Sequence, residues 1–241
     1  MTENGYTIVM APNDNTAYTS ARNILAFAVL RSDSRITAMM WCILPKILNI
    51  WYNTFVRILI AGASGGIGGA VAVSARAMHC QVVEWNRADF ESGAALPPGP
   101  YEGVVFAVGM CPVRPLSTLD DDAFMETIRV NCGLFVSLMR EIVDRRLYGE
   151  DGMRVVAVSS VSAKEGWAGG AAYCASKGAL SAVCWAMDAE LAPRGISVSA
   201  IEPRYVLTRM FRDCAGRMGV SESEAMDPRE LAEDILKGMT K

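Results

Sequence analysis

Arg57-Ile58-Leu59-Ile60-Ala61-Gly62-Ala63-Ser64-Gly65-Gly66-Ile67-Gly68-Gly69 decides the fold. Residues 57–61 form a short apolar run rich in isoleucine, the pattern of a strand buried on both faces. A glycine turn follows, then a helix-like stretch reaching about Met78. Gly62, Gly66 and Gly68 are spaced G-x-x-x-G-x-G, which is not the G-x-G-x-x-G dinucleotide fingerprint. The context is nevertheless the one that fingerprint needs: strand, glycine turn, helix. Glycine lets the backbone turn sharply and lets a pyrophosphate approach, and the helix that follows presents unpaired N–H groups and a positive dipole end. A tight turn with no ligand remains the competing reading at this point.

Working outward, residues 81–86, 103–108, 153–159 and 195–201 read as further strands. Residues 120–147, 173–191 and 228–237 read as helices, the first with apolar residues recurring at Phe124, Ile128, Leu134, Leu138 and Ile142. Pro228 suits a helix start. Strands alternating with helices imply an α/β protein, a Rossmann-like doubly wound parallel sheet with helices on both faces.

The chain has 241 residues, is 51% hydrophobic and carries a net charge of −3. Such apolar content excludes a disordered chain, and the charge argues against a nucleic-acid binder driven by phosphate neutralisation. Only one histidine, His79, is present, so a metal site built on several histidines is excluded. The seven cysteines are scattered singly, with no C-x-x-C pair. They read as reduced, mostly buried thiols of a cytoplasmic protein. The apolar stretch 36–56 is broken by Pro45, Lys46, Asn49 and Asn53, so no transmembrane span is expected.

Four further motifs stand in order. Val130-Asn131-Cys132-Gly133 lies in the middle helix; Ser159-Ser160 ends the 153–159 strand; Tyr173-Cys174-Ala175-Ser176-Lys177 begins a long helix; Pro203-Arg204-Tyr205-Val206-Leu207-Thr208 follows the last strand. With the glycine loop, these resemble the short-chain dehydrogenase/reductase family over residues 57–237, nearest in motif to its 3-oxoacyl-carrier-protein reductase-like members. The family's catalytic serine precedes its tyrosine by thirteen residues, a position Ser160 fills here. The resemblance implies hydride transfer between a nicotinamide nucleotide and a small-molecule carbonyl or alcohol. Asn131, Ser160, Tyr173 and Lys177 are its implied catalytic residues, Asn131 supporting a water-linked proton relay through Lys177. Cofactor binding is implied for Gly62, Ser64, Gly65, Gly66, Ile67 and Gly68 in the loop, for Asn86, Arg87 and Asp89 after the second strand, and for Gly109, Tyr173, Lys177, Pro203, Val206 and Thr208.

The chemistry has its own logic. Tyrosine has an unperturbed pKa of ~10, too high for easy proton exchange at neutral pH. Tyr173 and Lys177 are four apart and share a helix face, so an ammonium there is expected to favour tyrosinate. Ser160 sits where open α/β sheets place ligands. The position that carries Asp in NAD-preferring relatives is Asn86, followed by Arg87. An acid there binds a ribose 2′-OH, whereas arginine attracts a 2′-phosphate. NADP(H) is therefore expected over NAD(H).

The chain departs from the family in four places. Phe106-Ala107-Val108-Gly109 replaces Asn-Asn-Ala-Gly, and Arg204 replaces the glycine after Pro203. Arg204 is either a substrate-carboxylate binder or a solvated cation. Only residues 87–102 separate the second and third strands, so the family's third strand and its preceding helix are expected to be lost or reduced. A final strand is also expected to be missing. Residues 1–56 form an atypical segment before the catalytic domain 57–241, expected to be helical with a possible edge strand at 6–10 that shields the sheet. Substrate loops are expected at 109–118, 160–172 and 204–219, the last as a lid or an amphipathic helix. Relatives associate through the two long helices, which implies a homodimer or homotetramer. The alternative reading is a catalytically weak or inactive nucleotide-binding regulatory or scaffold protein of the same fold.

Overall fold

The computed structural model describes residues 56–239. The expectations for the N-terminal segment, including its helix and edge strand, fall outside these residues. Five strands, β1 (Arg57–Ala61), β2 (Gln81–Trp85), β3 (Gly103–Phe106), β4 (Met153–Val158) and β5 (Ile196–Ile201), form one parallel sheet in the order β2-β1-β3-β4-β5. Among the described residues this is the doubly wound order without the outer strand beyond β2. The expected shortening is present among the described residues: six-residue helix α2 (Arg87–Ser92) and a proline-rich loop replace the crossover through a further strand.

Alternation along β1 assigns each face its core. Ile58 and Ile60 pack with Val71, Ala72, Leu231 and Ile235 under α1 (Gly66–Ala77) and α7 (Pro228–Met239). Leu59 and Ala61 face the opposite cluster, with Phe135, Leu138 and Ile142 of α4 (Leu134–Asp144) and Leu180 of α5 (Ala171–Leu191). Phe106 and Phe135 meet with ring centroids 5.2 Å apart at the centre of that face. Burial of such rings contributes about 1.5–3 kcal/mol each. Packing of this kind supports the sheet centre where the family's asparagines are replaced.

The reading of one helix over 120–147 is corrected. Asp120 caps α3 (Asp121–Ile128), its carboxylate accepting from the Ala123 N–H at 2.7 Å. Residues Arg129–Gly133 then form a π-helical turn before α4 begins. Wider turns of this kind shift the backbone ladder locally and recur at functional sites. Asn131 lies inside it. The segment after β5 contains an amphipathic helix, α6 (Arg209–Met218), whose buried face is Phe211, Cys214 and Ala215.

Strand order reverses at β1 and β3: the chain leaves β1 for β2 on one side and reaches β3 on the other. Open α/β sheets bind ligands in the crevice beyond the carboxyl ends of such strands, and the sequence-predicted site residues converge there.

Candidate active site

The glycine turn is required by space as well as by backbone angle. Gly62 has φ +93°, and a Cβ there would lie 2.7 Å from the Ala107 carbonyl carbon. A Cβ on Gly68 would lie 2.2 Å from the Gly62 oxygen, and one on Gly66 2.6 Å from Thr208 Cγ2. The turn is closed by Gly62 N–H to Trp85 O at 2.7 Å and Gly65 N–H to Gly62 O at 2.9 Å. Helix α1 starts at Gly66 with no side-chain cap and no acidic residue in its first turn. Its first N–H groups are thus left for an anion. These features fit a dinucleotide pyrophosphate, which needs a cradle without side chains.

Beside the turn, Asn86 Oδ1 accepts the Ser64 N–H at 2.8 Å and ties the end of β2 to the glycine loop. Asp89 Oδ2 accepts the Asn86 N–H at 2.7 Å across the first turn of α2. Arg87 is held by two carboxylates, Glu91 at 2.6 Å and Glu126 at 3.0 Å. Glu84 pairs outward with Arg76. Arg204 is neither free nor in solvent alone: it pairs with Glu165 at 2.8 Å, linking the loops after β5 and β4.

The four predicted catalytic residues come together from three elements. Asn131 is fully buried; its Oδ1 accepts the Met110 N–H at 2.8 Å, and its Nδ2 donates to Met110 O at 2.9 Å and Ser176 Oγ at 2.8 Å. Ser160 lies two residues past β4, its Oγ accepting the Ser162 N–H at 3.1 Å, and it acts to lower the Tyr173 phenol. Lys177, one turn along α5, donates from Nζ to Val158 O at 2.7 Å and lies 5.7 Å from the Tyr173 ring centre. Gly109 lies against both Asn131 and Lys177: its Cβ would be 3.4 Å from Asn131 Oδ1 and 3.7 Å from Lys177 Nζ.

One electrostatic expectation is corrected. Burial pushes the Tyr173 phenol above its ordinary value, helped by the neighbouring Cys111 and opposed by Ser160. The ammonium does not pull it down. Lys177 is itself enclosed, and burial pushes its amine down to about 8; its Nζ is directed at the Val158 carbonyl rather than the phenol oxygen. Desolvation outweighs the neighbouring charge.

Sequence reasoning missed a polar network behind the site. Ser159 Oγ donates to Lys177 O at 3.0 Å; Ser181 Oγ bonds Ser159 Oγ at 2.9 Å and Glu202 Oε1 at 2.8 Å; Glu202 also pairs with Lys164 at 2.6 Å. It binds α5 to the ends of β4 and β5. Ser181 lies four residues past Lys177, a helical spacing that was the only available signal. Thr208 caps α6 through Phe211 N–H at 3.2 Å, and Pro203 O accepts Val161 N–H at 3.2 Å. Ile67, Val206, Tyr173 and Lys177 all line one open cleft. Trp167, Tyr205, Met210 and Phe211 supply apolar walls.

A parallel sheet with a glycine cradle at its switch point and a Ser-Tyr-Lys group lining the cleft beside it defines an α/β nucleotide-binding oxidoreductase. The short chain dehydrogenase family model matches residues 93–217, and the chain belongs to the short-chain dehydrogenase/reductase family of NAD(P)-dependent oxidoreductases. It is 31% identical over 170 residues to the short-chain reductase protein NovJ of Streptomyces niveus, a match covering 68% of this chain and 58% of that relative. Curated relatives also include 3-oxoacyl-[acyl-carrier-protein] reductases. The fold is similar to 4-hydroxyisoleucine dehydrogenase complexed with NADH (TM-score 0.66, 20% identity, 77% of this chain and 91% of that one). It is also similar to a short chain dehydrogenase from Shigella flexneri complexed with NADP (TM-score 0.65, 20% identity, 78% and 92%). Among the described residues no helix is long and apolar enough to cross a membrane.

Proposed function

We propose that this protein interconverts a carbonyl compound and its alcohol, with Tyr173 as general acid in reduction and general base in oxidation. The bound nucleotide supplies the hydride donor or acceptor. The observation that carries the reading is that Ser160, Tyr173 and Lys177 line one cleft, with Lys177 one turn along the helix from Tyr173. Burial keeps the phenol protonated, so Tyr173 stands ready to give its proton to a developing alkoxide. Ser160 orients the substrate oxygen. Lys177 is mostly charged below about pH 8 and stabilises the tyrosinate left behind. Asn131, anchored on Met110 and Ser176, holds the π-helical turn against Gly109 and so shapes the path for proton return through Lys177.

We assign NADP(H) as the favoured cofactor. No carboxylate side chain ends β2, where Asn86 stands, and Arg87 is adjacent. Its pairs with Glu91 and Glu126 are exposed; such pairs contribute little and are exchangeable for a 2′-phosphate. Ser64, Gly65, Asp89, Pro203, Val206 and Thr208 complete the proposed cofactor site. The apolar walls, and the engagement of Arg204 by Glu165, support an apolar carbonyl substrate. Free cysteines among the described residues support a cytoplasmic location, and exposed Val136 and Trp185 on α4 and α5 support a homodimer or homotetramer through those helices.

Oxidation of NADPH is followed with ketones, aldehydes and acyl thioesters, for the parent and Tyr173→Phe. Turnover is expected to fall by about 10²–10⁴-fold with NADPH binding retained. Equal rates in both proteins would overturn the role of Tyr173. Tight NADPH binding with no turnover of any compound would favour a regulatory or scaffold role.

A further inference from the structure

Cys111 and Cys214 are 103 residues apart in sequence and meet in the wall of the cleft. Cys111 lies in the loop leaving β3, just past Gly109. Cys214 lies on the buried face of α6. Cys214 Sγ donates to the Cys111 carbonyl oxygen at 3.4 Å, which brings the two side chains together at one place in the cleft wall. Both line the cleft, which admits small solutes.

We propose that Cys111 and Cys214 form a redox site that peroxide converts to a disulfide, tying α6 to the loop after β3. The Cys214 thiolate attacks one oxygen of hydrogen peroxide; the O–O bond breaks, the sulfur is oxidised to sulfenic acid, and the other oxygen leaves as water after taking a proton. The Cys111 thiol then attacks that sulfur, its proton leaving with the hydroxyl as a second water. Peroxide supplies both oxidising equivalents.

The assignment of roles follows from the surroundings. The interaction with Cys111 lowers the Cys214 thiol, with Arg217 adding to the effect and burial and Asp213 opposing it. Cys111 is correspondingly raised. The thiol whose pKa is lowered is the better attacking group. The other described cysteines lack this arrangement. Cys174 is directed at Glu165 O at 3.6 Å, and Cys80, Cys132 and Cys184 are buried and raised by desolvation. Because α6 carries Met210, Phe211 and Met218 of the cleft wall, the link would fix the substrate side of the site. This goes beyond the proposed activity and does not depend on it.

The full chain is treated with hydrogen peroxide at neutral pH, alkylated and mapped by mass spectrometry. A loss of about 2 Da and a peptide pair joined through Cys111 and Cys214, reversed by dithiothreitol, are expected. In Cys111→Ser, Cys214 should stop at sulfenic acid and be trapped by dimedone. In Cys214→Ser, peroxide consumption should fall about tenfold. Absence of a link in the parent, a link to any other cysteine, or a Cys214→Ser protein that oxidises as fast as the parent overturns the proposal.

Discussion

The Asn131 side-chain amide lies 2.8 Å from Ser176 Oγ, and that hydroxyl donates in turn to the Tyr173 carbonyl at 2.7 Å. One buried hydroxyl therefore couples the π-helical turn to the first turn of the helix that carries Tyr173. Asn131→Ala would leave the Met110 N–H and C=O without their side-chain partners. A loss of about 2 kcal/mol or more is expected in denaturant unfolding, with a larger fractional loss in kcat than in KM. A variant of parental stability and rate would remove the coupling role.

Lys177 provides a pH signature. Its folded-state pKa is lowered to about 8 from 10.5. Between these values the unfolded chain binds the extra proton, so stability contributed by this group rises with pH across that window. Below about pH 8 both states are charged and the full burial cost is present. The cost amounts to roughly 3 kcal/mol at most. Lys177→Met loses the Val158 hydrogen bond at every pH but should flatten this rise. Chemical denaturation of both proteins at pH 7 and pH 10 measures the difference. Parallel profiles would show that the amine is not enclosed as described.

Arg87→Ala should weaken NADPH binding by about tenfold or more while changing NADH binding little, because only the former carries the 2′-phosphate. Fluorescence titration of both nucleotides decides it. Equal small losses for both would leave Arg87 as a surface residue held by Glu91 and Glu126.

Trp185 is 61% exposed on α5, the helix expected to mediate self-association. Trp185→Glu should shift the sedimentation profile toward monomer, since a charge buried in an apolar interface is costly. An unchanged profile would place the interface elsewhere.

Several parts of the site were legible because their signals are local. The glycine turn reads from a dozen consecutive residues, and Tyr173 and Lys177 from a single helical turn. The shortened crossover followed from counting residues between strands. Other features were hidden because they join distant segments. Arg204 meets Glu165 across 39 residues, Arg87 meets Glu126 across 39, and Cys111 meets Cys214 across 103. Glu202 joins Ser181 and Lys164 only once β5 lies beside β4 and α5 has packed over them.

The sequence by itself determined the α/β class, the glycine turn and the sharing of one helix face by Tyr173 and Lys177, because strand periodicity, steric need for glycine and helical spacing are all short-range, while Ser160 followed from the family resemblance. Only the tertiary structure decided the electrostatics. Whether an ammonium four residues away lowers a tyrosine pKa depends on where the amine points and how much water reaches the phenol. Here the chain half-buries Tyr173, encloses Lys177 and turns it toward Val158. Desolvation, which belongs to the folded interior and to no stretch of sequence, reverses the sign that spacing alone predicts.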